Sequence, residues 1–197
     1  DMFIPTDNLI IAVHSKEETL FNKKSLKVIE ELTQKSWTIP YSVRIDSLTN
    51  YSYVQSIEDD LLVEPFIEDA EEKSSEFLAK RENIVSGEEI IYKSLISEDR
   101  KTSVVSIVID PPGPNKEAQT TEIIDYILEF VAPIKERNKN LDIRLLGNPY
   151  MDYISPRIVK AEMPIVMPLM MLLIFFIVFL MIRSYIAVLA TFVVILM

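Results

Sequence analysis

The chain closes on MPIVMPLMMLLIFFIVFLMIRSYIAVLATFVVILM, Met163 to Met197, and its architecture turns on how this stretch is read. Asp, Glu, Lys and Arg make up 25% of the protein, yet these residues hold one charge, Arg183. Pro164 to Ile182 is a 19-residue run without a charge. At 1.5 Å per helical residue it reaches roughly 28 Å, close to the hydrocarbon thickness of a bilayer. A helix packed on a soluble core shows a polar face, and this run has none. The alternative, a helical hairpin buried in a soluble core, lacks that face in both halves. The run is read as a transmembrane helix, spanning 161–183.

Arg183 then falls in a tight turn between two membrane helices. Short loops rich in Lys or Arg face the cytoplasm, so the turn is expected on that side. Tyr185 to Met197 is too short to span alone, so 184–197 is expected to be the start of a further, truncated membrane helix and the chain a fragment. All 30 acidic residues and all but one of the 20 basic ones precede Met163. Residues 1–160 are therefore read as one extracytoplasmic domain. DMFIP opens without a basic, apolar leader, and a preceding membrane helix is expected upstream.

A domain of this size can bury its own core. The absence of cysteine excludes a disulfide framework, a thiolate metal site and a cysteine nucleophile. An exported domain without disulfides fits a bacterium. A net charge of −10 argues against nucleic acid, which needs a basic surface.

Within residues 1–160 the apolar pattern predicts strands at Asn8–Ser15, Tyr41–Leu48, Thr102–Asp110 and Leu141–Gly147. The second is expected to bury Tyr41, Val43 and Ile45 against exposed Ser42, Arg44 and Asp46. The third stops at Pro111 and Pro112, which cannot continue a ladder. Helical spacing predicts helices over Leu20–Trp37 and Thr120–Arg137. The second is expected to be capped by Thr120 or Thr121, with Glu122 in its first turn, and to be kinked or ended early by Pro133. The order is βαβ, an insertion at about 51–101, then βαβ. This predicts an α+β fold of the ferredoxin-like split βαβ type. The insertion is expected to hold an acidic helix around Asp69–Arg81, followed by a hairpin turning at Glu98–Arg100. Val13, Ile29, Ile45, Ile107, Ile127 and Ile143 are the expected core.

The candidates for chemistry are few. The acidic stretch EDDLLVEPFIEDAEE, Glu58–Glu72, lacks the register of a calcium loop and is read as a solvated helix face. His14 is the one histidine, at a strand end, with no nucleophile motif around it. Three glycines leave little room for a phosphate loop. Asn50-Tyr-Ser is a glycosylation sequon, relevant in a eukaryotic secretory pathway. Pro164 is read as the first turn of the membrane helix, where proline is preferred. Pro168, four residues on, is either a flexible point or a tolerated breaker. No catalytic, cofactor-binding or metal-ligating residue is assigned, and no enzyme activity or cofactor is expected.

RIDSLTNYSYVQSIEDDLLVEPFIED (44–69), SLISEDRKTSVVSIVID (94–110) and LLGNPYMDYISPRIVKAEMPIVMPLMMLLIFFIVFLMIRS (145–184) occur in this order. Together they resemble the RND superfamily of exporters, in its MMPL-like, sterol-sensing-related branch. There a βαβ porter domain follows the first membrane helix. A strand-Gly-x-Pro segment, here Leu145–Tyr150, leads into the second helix, and a short turn, here Arg183–Ser184, precedes the third. The resemblance implies a proton-driven inner-membrane exporter of lipids or other hydrophobic compounds, with residues 1–160 on the periplasmic side. Its implied partners are membrane lipids, the hydrophobic substrate, the remaining membrane helices of the chain and further subunits of an oligomer. The family's proton-relay carboxylates lie on later membrane helices, so no functional residue transfers to this chain. The competing reading is a membrane-anchored sensor or an export accessory subunit whose outer domain binds a ligand.

Overall fold

The strand Thr102–Ile109 (β5) organises the sheet. Ser103, Val105, Ile107 and Ile109 are buried and alternate with half-buried Thr102, Val104, Ser106 and Val108. With a side-chain period of two, these are opposite faces of one strand. β5 pairs antiparallel with Asp7–Ser15 (β1) on one side and Ser42–Asp46 (β2) on the other. β1 also pairs antiparallel with Leu141–Leu146 (β6), so the sheet runs β2-β5-β1-β6. The computed structural model describes residues 7–16, 18–57, 60–85, 87, 91–112 and 115–182.

Helix Lys23–Ser36 (α1) joins β1 to β2, and Lys116–Arg137 (α3) joins β5 to β6. The two helices contact each other and the sheet, α1 on β2 and β5 and α3 on β6. Asn22 caps α1 through a 2.9 Å hydrogen bond from the Ser25 amide to its Oδ1, and the next turns bury Leu26, Ile29 and Leu32 at helical spacing. α3 does the same with Ile123, Ile124, Ile127, Val131 and Ile134. The six residues expected in the core, Val13, Ile29, Ile45, Ile107, Ile127 and Ile143, all belong to this one buried cluster. The other sheet face is more open, with half-buried Ile10, Val104 and Val108 and exposed Leu146. The domain is thus mixed α+β, with an antiparallel sheet.

Four local expectations fail for identifiable reasons. α3 begins at Lys116, before Thr120, because Lys-Glu-Ala-Gln is good helix-forming sequence and Glu117 suits the first turn. Thr121 does not cap the helix; its hydroxyl donates back to the Glu117 carbonyl at 3.0 Å. Of the two effects expected of Pro133, the early end does not occur: α3 runs on to Arg137, giving up the one bond that the missing N–H would have made. In β2 a register shift between Ser42 and Arg44 breaks the alternation, and Tyr41 sits at φ 61° outside the strand. Val43 is consequently exposed, and of the expected buried trio only Ile45 is covered.

The insertion departs furthest. It opens with two strands that were not expected, Ser52–Ile57 (β3) and Asp60–Pro65 (β4), an antiparallel ribbon separate from the main sheet, while the helix expected around Asp69–Arg81 is present with a later start. Part of the stretch read as a solvated helix face is therefore strand, in keeping with its Leu-Leu-Val run. A turn follows with Asp69 at φ 52°, and helix Ser75–Val85 (α2) starts only afterwards. Ile91–Leu95 forms a π-helical turn. The turn expected at Glu98–Arg100 is present, closed by a 2.8 Å bond from the Ser97 amide to the Thr102 carbonyl, with Arg100 at φ 57°. Its first arm meets β5 through the bridge Ile96–Ser103.

β6 ends at Leu146, and after the single residue Gly147 helix Asn148–Ile182 (α4) begins. Gly147 adopts φ 121°, and a Cβ there would lie 2.3 Å from the Asn8 carbonyl oxygen. Only glycine satisfies both the conformation and the space. The chain divides into two compact units, Asp1–Tyr153 and Ile154–Met197. At the end of the first, the Tyr153 hydroxyl donates to Asp125 Oδ1 on α3.

Ile107→Ala and Ile127→Ala should each lower stability by about 2–5 kcal/mol. If both leave the melting temperature unchanged, the β5 and α3 registers are wrong. Gly147→Ala, which adds a single methyl, should be at least as damaging in thermal unfolding. A Gly147→Ala protein that melts like the parent would refute the close approach to Asn8.

Candidate functional site

Two features of the described residues bear on function: the apolar helix α4, and a polar cleft on the mixed α+β domain. Along α4 the large side chains are unburied, with Ile165 70%, Leu169 64% and Leu172 66% exposed. Among the described residues, Asn148–Ile177 is the one segment long and apolar enough to cross a membrane, judged by length and composition. In water, such a surface would be a liability; in hydrocarbon it is the favoured one.

Three prolines, Pro156, Pro164 and Pro168, lie inside α4. Pro164 therefore does not start the helix, which is already formed from Asn148. Each proline deletes one amide donor, so Pro164 and Pro168 leave the carbonyls of Lys160 and Pro164 without their usual i→i−4 partner. The helix passes through both, as membrane helices do when the remaining backbone bonds hold them. A groove beside Pro168 is lined by Met167, Met171, Leu172 and Phe175, all apolar and adaptable in shape.

The cleft has a volume of about 500 Å³ and lies between β2, the loop 47–52 and the π-helical turn. Arg44 and Asp46 stand in it as an ion pair at 2.8 Å, with the hydroxyls of Ser47, Ser94 and Ser106 nearby. The loop is held rigidly. Asn50 Oδ1 accepts the Ser47 amide at 2.7 Å, and its Nδ2 donates to the Ile45 carbonyl at 2.7 Å. Ser47 and Thr49 are tied to Thr33 of α1 by hydroxyl bonds of 2.9 and 3.1 Å. Hydroxyls and one charge pair make this a place to bind polar groups; its described lining holds no nucleophile–base pair. The Asn50 sequon nitrogen is already engaged in folding the loop.

The other sequence candidates are scattered. His14 ends β1, exposed, with Nδ1 2.9 Å from Thr102 Oγ1. Of the acidic stretch, Glu64 pairs with Arg81 and Glu71 pairs with Lys27 at 2.6 Å, while Glu58 and Asp59 lie outside the described residues. Arg183 and Ser184 also lie outside them. Among the described residues no group of three or more His, Cys, Asp or Glu is placed to hold a metal ion. The titration shifts are local. Hydrogen bonds from Ser97 and the Lys101 amide hold the Asp99 carboxyl below its ordinary range, and a bond from Arg144 does so for Asp142.

Sequence reasoning missed Arg81. This arginine on α2 is 3% exposed, forms an ion pair with Glu64 of β4, and stacks against three rings. Its guanidinium carbon lies 4.7 Å from the Tyr53 centroid, 5.0 Å from Phe77 and 5.3 Å from Phe66. Nε and Nη1 have no hydrogen-bond partner among the described residues. The Phe77–Arg81 spacing, i to i+4 on a helix, was the available signal. The cage fastens the β3–β4 ribbon to α2.

No protein-family model matches the sequence, and no curated protein is significantly similar to it.

Arg81→Ala should cost about 2 kcal/mol, the scale of a desolvated cation–π contact, and should free the ribbon from α2. Hydrogen exchange at Tyr53 and Glu64 should rise by more than in the main sheet. Uniform loss of protection would mean that the cage supports the whole domain instead.

Proposed function

We propose that this chain is part of a proton-driven exporter of lipids or other hydrophobic compounds, of the RND superfamily and its MMPL-like branch. In this reading residues 1–160 form a periplasmic porter domain with a ferredoxin-like split βαβ fold, and α4 is a membrane helix of the bacterial inner membrane. The observation that carries the reading is the junction at Gly147. An edge strand of an antiparallel sheet ends there and passes without a linker into a long apolar helix with an unburied surface. The split βαβ assignment is supported by the strand order β2-β5-β1-β6, with helices in both crossovers once the insertion is set aside. A conduit for apolar cargo also needs lipid-accessible walls, and the groove around Pro168 offers one.

A second reading has one observation in its favour. The polar cleft at Arg44 and Asp46 suits a ligand-binding outer domain, as in a membrane-anchored sensor or an export accessory subunit. The two readings differ in what the membrane must contain. A proton-driven pump needs a group that loads and unloads a proton within the bilayer, and ionisable residues there are costly enough to be kept for such work. Pro164–Ile182 and Tyr185–Met197 contain no Asp, Glu, His, Lys or Arg. Export therefore requires an Asp or Glu in another membrane helix of the full-length protein.

Neutralising that residue to Asn or Gln should abolish export from cells while leaving the melting of the outer domain unchanged. A full-length protein with no acidic residue in any membrane helix would remove the pump and favour the sensor.

Topology is tested separately. With Ser184→Cys in the full-length protein, an impermeant thiol reagent should label the cysteine only once the inner face is opened. Labelling from outside in intact spheroplasts would overturn the orientation.

A further inference from the structure

The cleft beside β2 offers more hydrogen-bonding groups than its own loop consumes. Register places Asp46 opposite Ser106 and Arg44 opposite Val108, so the ion pair and the Ser106 hydroxyl stand on one face of the sheet. Ser47 and Asn50 are engaged in folding the loop. The hydroxyls of Tyr51, Ser52, Ser94 and Ser106, all in the lining, make no hydrogen bond among the described residues. Ile45 and Leu95 are buried, and Tyr51 is packed against the core, which gives the lining a firm apolar part.

We propose that this cleft binds the hydroxylated edge of a neutral saccharide. The inference rests on the ligand-binding reading given above and names its ligand. Charge is the first selector. Arg44 and Asp46 are the charged groups of the lining, and at 2.8 Å they offset each other. An anion would meet Asp46 and a cation Arg44, whereas a neutral ligand meets neither penalty. The free groups are the second selector. A hydroxyl both donates and accepts, and sugar hydroxyls share that duality; a carboxylate only accepts, an ammonium only donates, and an amide divides the two roles between separate atoms. The ion pair is the third. Neighbouring hydroxyls on a sugar ring can accept from the guanidinium and donate to the carboxylate, both charge-assisted bonds. The C–H face of the ring then has Tyr51 and Leu95 to cover it, and tyrosine suits a ligand that is polar at its edge and apolar on its face. The volume of about 500 Å³ falls within the range of small-molecule clefts, roughly 300–1,000 Å³.

The test uses the full-length protein in zwitterionic nanodiscs, with glucose, galactose and maltose as probes in saturation-transfer NMR. At least one sugar should bind, with an affinity unchanged between low and high salt, because the ligand carries no charge to screen. The double variant Ser94→Ala, Ser106→Ala removes two free hydroxyls and no folding bond, and should weaken binding at least fivefold. Asp46→Asn leaves Arg44 unopposed: sugar affinity should fall at least tenfold, and inorganic phosphate, which the parent ignores, should bind. If Asp46→Asn changes the circular dichroism, the serine variant decides alone. A galactosyl diacylglycerol added to the nanodisc should compete with soluble galactose if the sugar is lipid-borne, and leave it untouched if the ligand is free in solution. Sugar binding indifferent to the variants overturns the site. Binding of phosphate or of dialanine to the parent, in place of the sugars, overturns the ligand class and leaves the ligand-binding reading standing. If none of these probes binds, the proposal and that reading fall together.

Discussion

Much of this protein depends on how closely two backbones can approach at Gly147. β6 must lie against β1 to complete the sheet, and within one residue the chain must leave the sheet for a 35-residue helix. Both demands meet at a φ of 121° beside the Asn8 carbonyl, where any Cβ would collide. A longer connection would have relieved the crowding but put a flexible segment between sheet and helix. Early in α4, the Tyr153 hydroxyl then donates to Asp125 on α3. The two halves of the chain, so different in composition, thus share one continuous backbone element.

The main sheet was legible in the sequence because three of its four strands carry an uninterrupted signal. Thr102–Ile109 is a β-branched run closed by two prolines, and Leu141–Leu146 alternates apolar and polar residues over most of its length, since one of its faces meets helices and the other does not. The helices were legible for the same reason, through the spacing of Leu26, Ile29 and Leu32 or of Ile124, Ile127 and Val131. The insertion was not. In Asp60–Pro65 three apolar residues stand in a row among carboxylates, and the ribbon is too short to show its period. Helix and strand are hard to tell apart in such a run. The β2 bulge was unreadable for a related reason: a single extra residue inverts the phase of everything beyond it.

The candidate site divides along the same boundary. The apolar helix is a compositional fact and needs no fold to be seen. The cleft at Arg44 and Asp46, by contrast, joins β2 to a π-helical turn some 50 residues later, and no local pattern connects those segments. Arg81 is intermediate. Its helical partner Phe77 is visible in the sequence, while Tyr53 and Phe66 reach it only through the ribbon. Burying the guanidinium among rings covers its faces while the Glu64 carboxylate takes one end, which is how arginine, with its weakly hydrated planar group, tolerates burial better than lysine.

The strand order also sets the tempo of assembly. β1 lies between β5 and β6, and its residue His14 stands opposite Thr102 on one side and Asp142 on the other. Of the four strands in this sheet, the first to be made therefore waits for the last two. Contacts this distant in sequence demand loop closure before they return any stability, and chains dominated by them fold slowly. During synthesis β1 has no sheet to join until β5 emerges, and its second edge stays open until β6 does. The next residues out are those of α4, so completing the four-stranded sheet and delivering the apolar helix fall within the same short interval of translation. A delay at either step would leave an unpaired strand and a bare hydrophobic segment exposed together, the combination most prone to aggregate.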